Sequence, residues 1–149
     1  MGEIMKGLDL QLTENFLLHE FAVSRDFPEL ADEIEFADIE VERLRFACAA
    51  YLQPIRNRFG KVTILSGKRS PELNAVVGGA INSDHLYLLS PLHSDAGAVD
   101  FTAADLPAVM EWTRENFIYK LLIYYPRRRF VHLSFPDSSG EYEIFKEKQ

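Results

Sequence analysis

Two histidines and one aspartate in this chain, His93, Asp100 and His132, could together hold a zinc ion and leave one coordination position open. His93 and Asp100 close the stretch His93-Ser94-Asp95-Ala96-Gly97-Ala98-Val99-Asp100, and His132 lies in Phe130-Val131-His132-Leu133-Ser134-Phe135. Three protein ligands and a water are the arrangement of a catalytic zinc, whereas structural zinc sites close with four ligands, mostly cysteine. With one cysteine, Cys48, the chain cannot build such a closed site. Taken singly, any of these histidines would be read as structural or solvated. Their company argues otherwise. Asp100 stands between Val99 and Phe101, and a carboxylate on a buried strand needs a partner or a metal. His132 sits in a period-two run, with Val131 and Leu133 directed to the opposite face.

His85, after Ser83-Asp84, competes with His93 for the first ligand position. The seven residues from His93 to Asp100 let an imidazole return to the start of the strand, so His93 is preferred. Ser83 and His85 then fall on the substrate side. Arg69 precedes a helix start in a turn, where a planar guanidinium suits a carboxylate. An ordinary surface ion pair is the competing explanation for it. His19, among Leu17, Leu18 and Phe21, and Cys48, on an apolar helix face, read as packing residues.

The elements that must position these groups follow from periodicity. Val41, Leu44, Cys48, Leu52, Ile55 and Phe59 recur at three- and four-residue steps, which predicts an amphipathic helix over 37–59. Gly60 stops it, and Pro54 should kink or split it. Residues 61–65 read as a strand. Ser70-Pro71-Glu72 is a helix start, with the helix ending at Gly78-Gly79. Residues 80–95 read as a long loop. A strand at 97–102, a helix at 105–116, strands at 120–125 and 130–135 joined through Pro126-Arg127-Arg128-Arg129, and a last strand at 141–146 complete the order. Helices come first and strands cluster late, so the class is α+β, a small antiparallel sheet flanked by helices.

A length of 149 residues fits one domain, 1–149, and 47% hydrophobic with 26% charged residues is ordinary globular composition. The net charge of −7 argues against a nucleic-acid partner, which needs a basic face. A single cysteine forbids an internal disulfide. No stretch is apolar enough to span a membrane, and Met1 to Leu12 has no signal pattern. Lys6 stands where a myristoylation motif at Met1-Gly2 wants Ser or Thr. Synthesis as a cytoplasmic chain is expected, with association with a virion or release at lysis to follow.

The segments resemble the zinc D,D-peptidases of the D-alanyl-D-alanine carboxypeptidase type, which share a fold with the hedgehog signalling domain. The likeness is to the compact subgroup of phages and bacteria. It runs in the family's order through Leu12-Thr13-Glu14-Asn15-Phe16, Leu44-Arg45 to Arg56, Ser66-Gly67-Lys68-Arg69-Ser70-Pro71-Glu72-Leu73-Asn74, Val77-Gly78-Gly79, Asn82-Ser83-Asp84-His85, Ala98-Val99-Asp100-Phe101 and Phe130-Val131-His132-Leu133-Ser134. The resemblance implies zinc at His93, Asp100 and His132, and Arg69 reading the terminal carboxylate of a peptidoglycan stem peptide or another D-Ala-terminated peptide. It also implies metal-assisted hydrolysis as the chemistry. A non-catalytic role beside phage structural proteins is the alternative. The chain departs from the family's pattern in three places. About eight extra residues separate Ser83-Asp84-His85 from Ala98-Val99-Asp100, Ala96 replaces a glycine, and no acid precedes His132 where the family keeps its general base. Asp84, Asp95, Asp137 and Glu141 are the acids that could substitute.

Overall fold

The computed structural model describes residues 4–6, as backbone, and 10–149; Met1-Gly2 lies outside the described residues. Three short strands open the chain: β1 (Ile4–Lys6), β2 (Gln11–Thr13) and β3 (Phe16–Leu17). A 3-10 turn at Leu18–Phe21 follows, then α1 (Pro28–Asp32) and β4 (Glu35–Ala37), which pairs antiparallel with β1. The turn buries Leu18 and Phe21 completely.

The long amphipathic helix is three consecutive pieces: α2 (Asp38–Ala47), a π-helical turn (Cys48–Leu52) and α3 (Gln53–Phe59). The cause is Pro54. It has no N–H for the carbonyl four residues back, and its ring crowds that carbonyl. The backbone widens just before it, with the Gln53 N–H bonding to the Cys48 carbonyl five residues back. The bend keeps one face inward throughout: Leu44, Cys48, Leu52 and Ile55 are fully buried. Burial drives the Cys48 thiol pKa well up, as expected of a core residue. Gly60, at φ +90°, ends the helix.

The main sheet takes β5 (Val62–Ser66), β6 (Ala98–Ala103), β7 (Leu121–Tyr125), β8 (Phe130–Ser134) and β9 (Ile144–Glu147) in the order β5-β6-β8-β7-β9. Its first four strands are antiparallel, as anticipated. The last, β9, instead runs parallel to β7, because the chain after β8 loops back before re-entering beside it. Between β5 and β6 lie α4 (Pro71–Val76) and a 3-10 helix at Asp84–Leu89, and α5 (Leu106–Asn116) joins β6 to β7. Ser70 caps α4 by accepting from the Leu73 N–H at 3.1 Å.

One face of the sheet is core: Val99, Phe101, Leu122, Val131 and Leu133 are fully buried. Helix α5 packs against β6 and β8. The residues between them in sequence, Asp100, Ile123 and His132, point to the other face. Among the described residues no helix is long and apolar enough to cross a membrane.

Candidate metal centre

Sheet register brings the first two groups together. Asp100 and His132 are direct partners across β6 and β8, so their side chains rise side by side from the same face. Ser66 is brought into the same row by an irregularity in β5, where Ile64 pairs with Phe101 and Ser66 with Asp100, leaving Leu65 as the extra residue. His132 Nδ1 lies 2.9 Å from Asp100 Oδ1.

The third group is His85, from the 3-10 helix. Its Nε2 lies 3.2 Å from Asp100 Oδ1 and 3.3 Å from His132 Nδ1. Among the described residues, His85, Asp100 and His132 are the one set of three metal-ligating side chains that converges. The expected ligand His93 is outside it, and His85 stands with Asp100 and His132 in its place. The physical reason lies in how residues 80–97 are held. Ser83 caps the 3-10 helix, its hydroxyl accepting from the His85 N–H at 3.2 Å. The His85 carbonyl accepts the Arg69 N–H at 2.7 Å. Tyr87 adopts φ 55°, ψ −124°, and its fully buried ring donates its hydroxyl to the Ala98 carbonyl at 2.8 Å. The extra residues are therefore taken up after Tyr87, in a turn where Ala96 N–H bonds to the His93 carbonyl. The stretch read as a plain loop is structured where it carries His85.

Each imidazole is oriented from behind. The Gly67 carbonyl, which can only accept, lies 2.7 Å from His85 Nδ1, so that nitrogen carries the proton and Nε2 presents its lone pair inward. Gly67 is required here: a Cβ would stand 2.4 Å from the Phe21 carbonyl oxygen. Behind His132, Nε2 is 2.7 Å from the hydroxyl of Ser134, a fully buried residue. Burial pushes the His85 pKa below its ordinary value, against the pull of Asp100, and keeps the ring neutral. Burial would raise Asp100, but His85 and His132 outweigh it and hold the carboxyl far below the usual range.

Two imidazole nitrogens and a carboxylate oxygen, each able to offer a lone pair, thus face one another at 2.9–3.3 Å. With all three lone pairs turned inward, such a cluster is stable only around a cation. Ligand atoms around a tetrahedral zinc with bonds of about 2.0–2.1 Å stand about 3.3 Å apart. The donor set and its spacing fit that ion.

Arg69 borders the cluster. Its guanidinium is 3.1 Å from Asn74 Oδ1 and 3.8 Å from Asp100 Oδ2, the oxygen turned away from the histidines. Burial lowers its pKa while Asp100 opposes the shift. Gly79 makes room for this arrangement, since a Cβ there would lie 2.1 Å from Asn74 Oδ1. Asp100, Arg69 and Ser66 open into a cleft of about 650 Å³ whose far wall includes Phe27, Leu73 and Val77.

The substitute acids lie in other bonds. Asp84 and Asp137 both pair with Lys120, at 3.0 and 2.8 Å, and Asp95 accepts from Ser138 at 2.8 Å. Glu141 is exposed. Residue order had not pointed to Gly67, Ser134 or Lys120. The first two support ligands through a backbone carbonyl and a hydroxyl, groups that carry no distinctive spacing. Ser134 alone had a signal, two residues from His132 on the same strand face.

A His/Asp/His donor set beside an arginine, opening into a cleft, has the make-up of a metal-dependent hydrolase site. The sequence profile of the Peptidase M15 family matches residues 25–134, which include His85, Asp100, His132 and Arg69, and the chain belongs to that family of zinc peptidases. No curated protein and no solved structure matches it.

Proposed function

We propose that the protein is a zinc peptidase that hydrolyses bonds between D-amino acids in peptidoglycan stem peptides, with His85, Asp100 and His132 as the metal ligands. The observation that carries this reading is the meeting of two imidazoles and a carboxylate at zinc-compatible spacing, with Arg69 beside them. Bound zinc would supply an activated water and polarise the scissile carbonyl. The chain's own groups do the rest. Arg69, kept in place by Asn74 and Asp100, receives the carboxylate of a D-Ala terminus. The apolar residues of the cleft, Phe27, Leu73 and Val77, take the methyl side chains. Gly67 holds the His85 ring in the tautomer that ligation requires, and Ser134 holds the orientation of the His132 ring.

A second reading has an observation of its own. Among the described residues no carboxylate other than Asp100 joins the cluster, and a missing general base costs about 10²–10⁴-fold in rate. A domain of this fold that binds wall peptide without cutting it, as part of a phage particle, would look the same. The test is incubation of the zinc-loaded protein with peptidoglycan and with a D-Ala-D-Ala-terminated peptide, with and without chelator. Chelator-sensitive release of D-alanine or of shortened muropeptides supports the peptidase. Binding to wall without any such product supports the second reading.

A further inference from the structure

The hairpin tip at Arg127-Arg128-Arg129 stands close to the site and has no part in the reading above. Tyr125 and Phe130 are cross-strand partners at the end of β7 and β8, two residues along from the Ile123–His132 pair. Side chains alternate, so the Tyr125–Phe130 pair lies on the same sheet face as His132. Their rings stack at 4.3 Å and 12°. The Arg128 guanidinium lies over both, 5.6 Å from the Tyr125 ring and 5.0 Å from that of Phe130. The turn is closed by the Arg129 N–H bonding to the Tyr125 carbonyl at 2.7 Å, with Arg129 at φ 61°.

Three guanidiniums, Arg25, Arg69 and Arg128, line the cleft that contains Asp100, and Arg25 is paired with its neighbour Asp26 at 3.3 Å. They differ in how they are satisfied. Arg69 is bonded to Asn74 and neighbours Asp100, and its charge is partly matched within the protein. Arg128 makes no ion pair among the described residues. It packs against the stacked Tyr125–Phe130 pair, and its N–H groups, which can bond carboxylates in pairs, have no acceptor among the described residues. Stacking fixes the direction of the charge without neutralising it. Arg128 is exposed, so this charge is open to a ligand in the cleft.

We infer that Arg128 forms a second anion-binding subsite in this cleft, selecting peptides that carry a carboxylate in addition to the one at their terminus. The inference rests on the proposed peptidase site, since the cleft is taken as the path of the peptide. It deepens that reading by naming the substrate class: an acidic peptide whose side-chain carboxylate reaches the Tyr125–Phe130 platform while its C-terminus lies at Arg69.

The probe is a pair of short peptides ending in D-Ala-D-Ala, one with a side-chain carboxylate at the residue before the D-Ala pair, the other with the carboxamide there. Equilibrium binding to the zinc-loaded protein is measured by calorimetry for wild type, Arg128→Gln and Arg128→Lys, and hydrolysis is followed in parallel. Wild type is expected to bind the acid about tenfold more tightly than the amide, as a charge-assisted bond would give. Arg128→Gln should bind both equally, with amide affinity and melting temperature unchanged, and Arg128→Lys should fall between. If hydrolysis occurs, the loss should appear in KM for the acid and leave kcat alone. Equal binding of acid and amide by wild type, or a preference that survives Arg128→Gln, overturns the subsite. Acid-selective binding without hydrolysis would leave the subsite standing and remove only the peptidase reading.

Discussion

Asp100 and His132 reach the candidate centre by a different route from His85. Asp100 and His132 stand opposite each other on β6 and β8, with Val99, Phe101, Val131 and Leu133 buried on the reverse face. A one-residue slip would turn both away from the site and put those apolar side chains in the cleft, so the core enforces the pairing. His85 comes from a single 3-10 turn in a segment with extra residues. It depends on separate local anchors: the Ser83 cap, the Gly67 carbonyl, the Tyr87 ring and the pairing of neighbouring Asp84 with Lys120. The sheet gives two groups by repetition, and the turn gives the third by individual bonds.

That contrast can be tested by mutation. The largest effect is expected at the ligands: His85→Ala, Asp100→Ala and His132→Ala should each weaken zinc binding by on the order of 10³-fold or more. His93→Ala should leave it unchanged. Competition with a chromophoric chelator measures all four, and equal losses at His85 and His93 would dissolve the distinction. Tyr87→Ala should cost about 3–5 kcal/mol in denaturant unfolding, because it empties a fully buried ring site and frees the turn.

Lys120 sharpens the comparison, since it fastens both the turn, through Asp84, and the chain after β8, through Asp137. Lys120→Met should cost about 1–3 kcal/mol, less than for a deeply buried pair because water reaches part of the cluster. Burial works against the ionised forms, but the hydrogen bonds prevail: Asp137 is held below its ordinary 3.8 and Lys120 above its ordinary 10.5. A depressed carboxylate contributes stability that is present above 3.8 and lost as pH falls through its folded pKa. A raised lysine contributes stability that is present below 10.5 and lost as pH rises through its folded pKa. The melting-temperature gap between wild type and Lys120→Met should therefore be widest between those limits and close at both extremes. A gap independent of pH would remove the ion pairs from the explanation. The smallest effect belongs to Ser134→Ala, expected to weaken zinc binding by about 10- to 100-fold through loss of the bond behind His132.

The same contrast explains what residue order could reveal. The strands bearing Asp100 and His132 announce themselves by alternation, and the helix start at Ser70-Pro71 by its cap. Pro54 marked the break in the long helix, though not that a π turn would absorb it. The choice between His85 and His93 depended on where extra chain is stored. That is decided by Tyr87 reaching Ala98, a tertiary contact without local periodicity. The parallel entry of β9 is likewise a matter of how the chain returns after β8, which spacing alone does not encode.

The most direct test is diffraction from crystals grown with zinc, with data collected on both sides of the zinc absorption edge. The account predicts a single anomalous peak about 2.0–2.2 Å from His85 Nε2, an Asp100 oxygen and His132 Nδ1. A peak coordinated by His93, or none among these three side chains at saturating zinc, would contradict it.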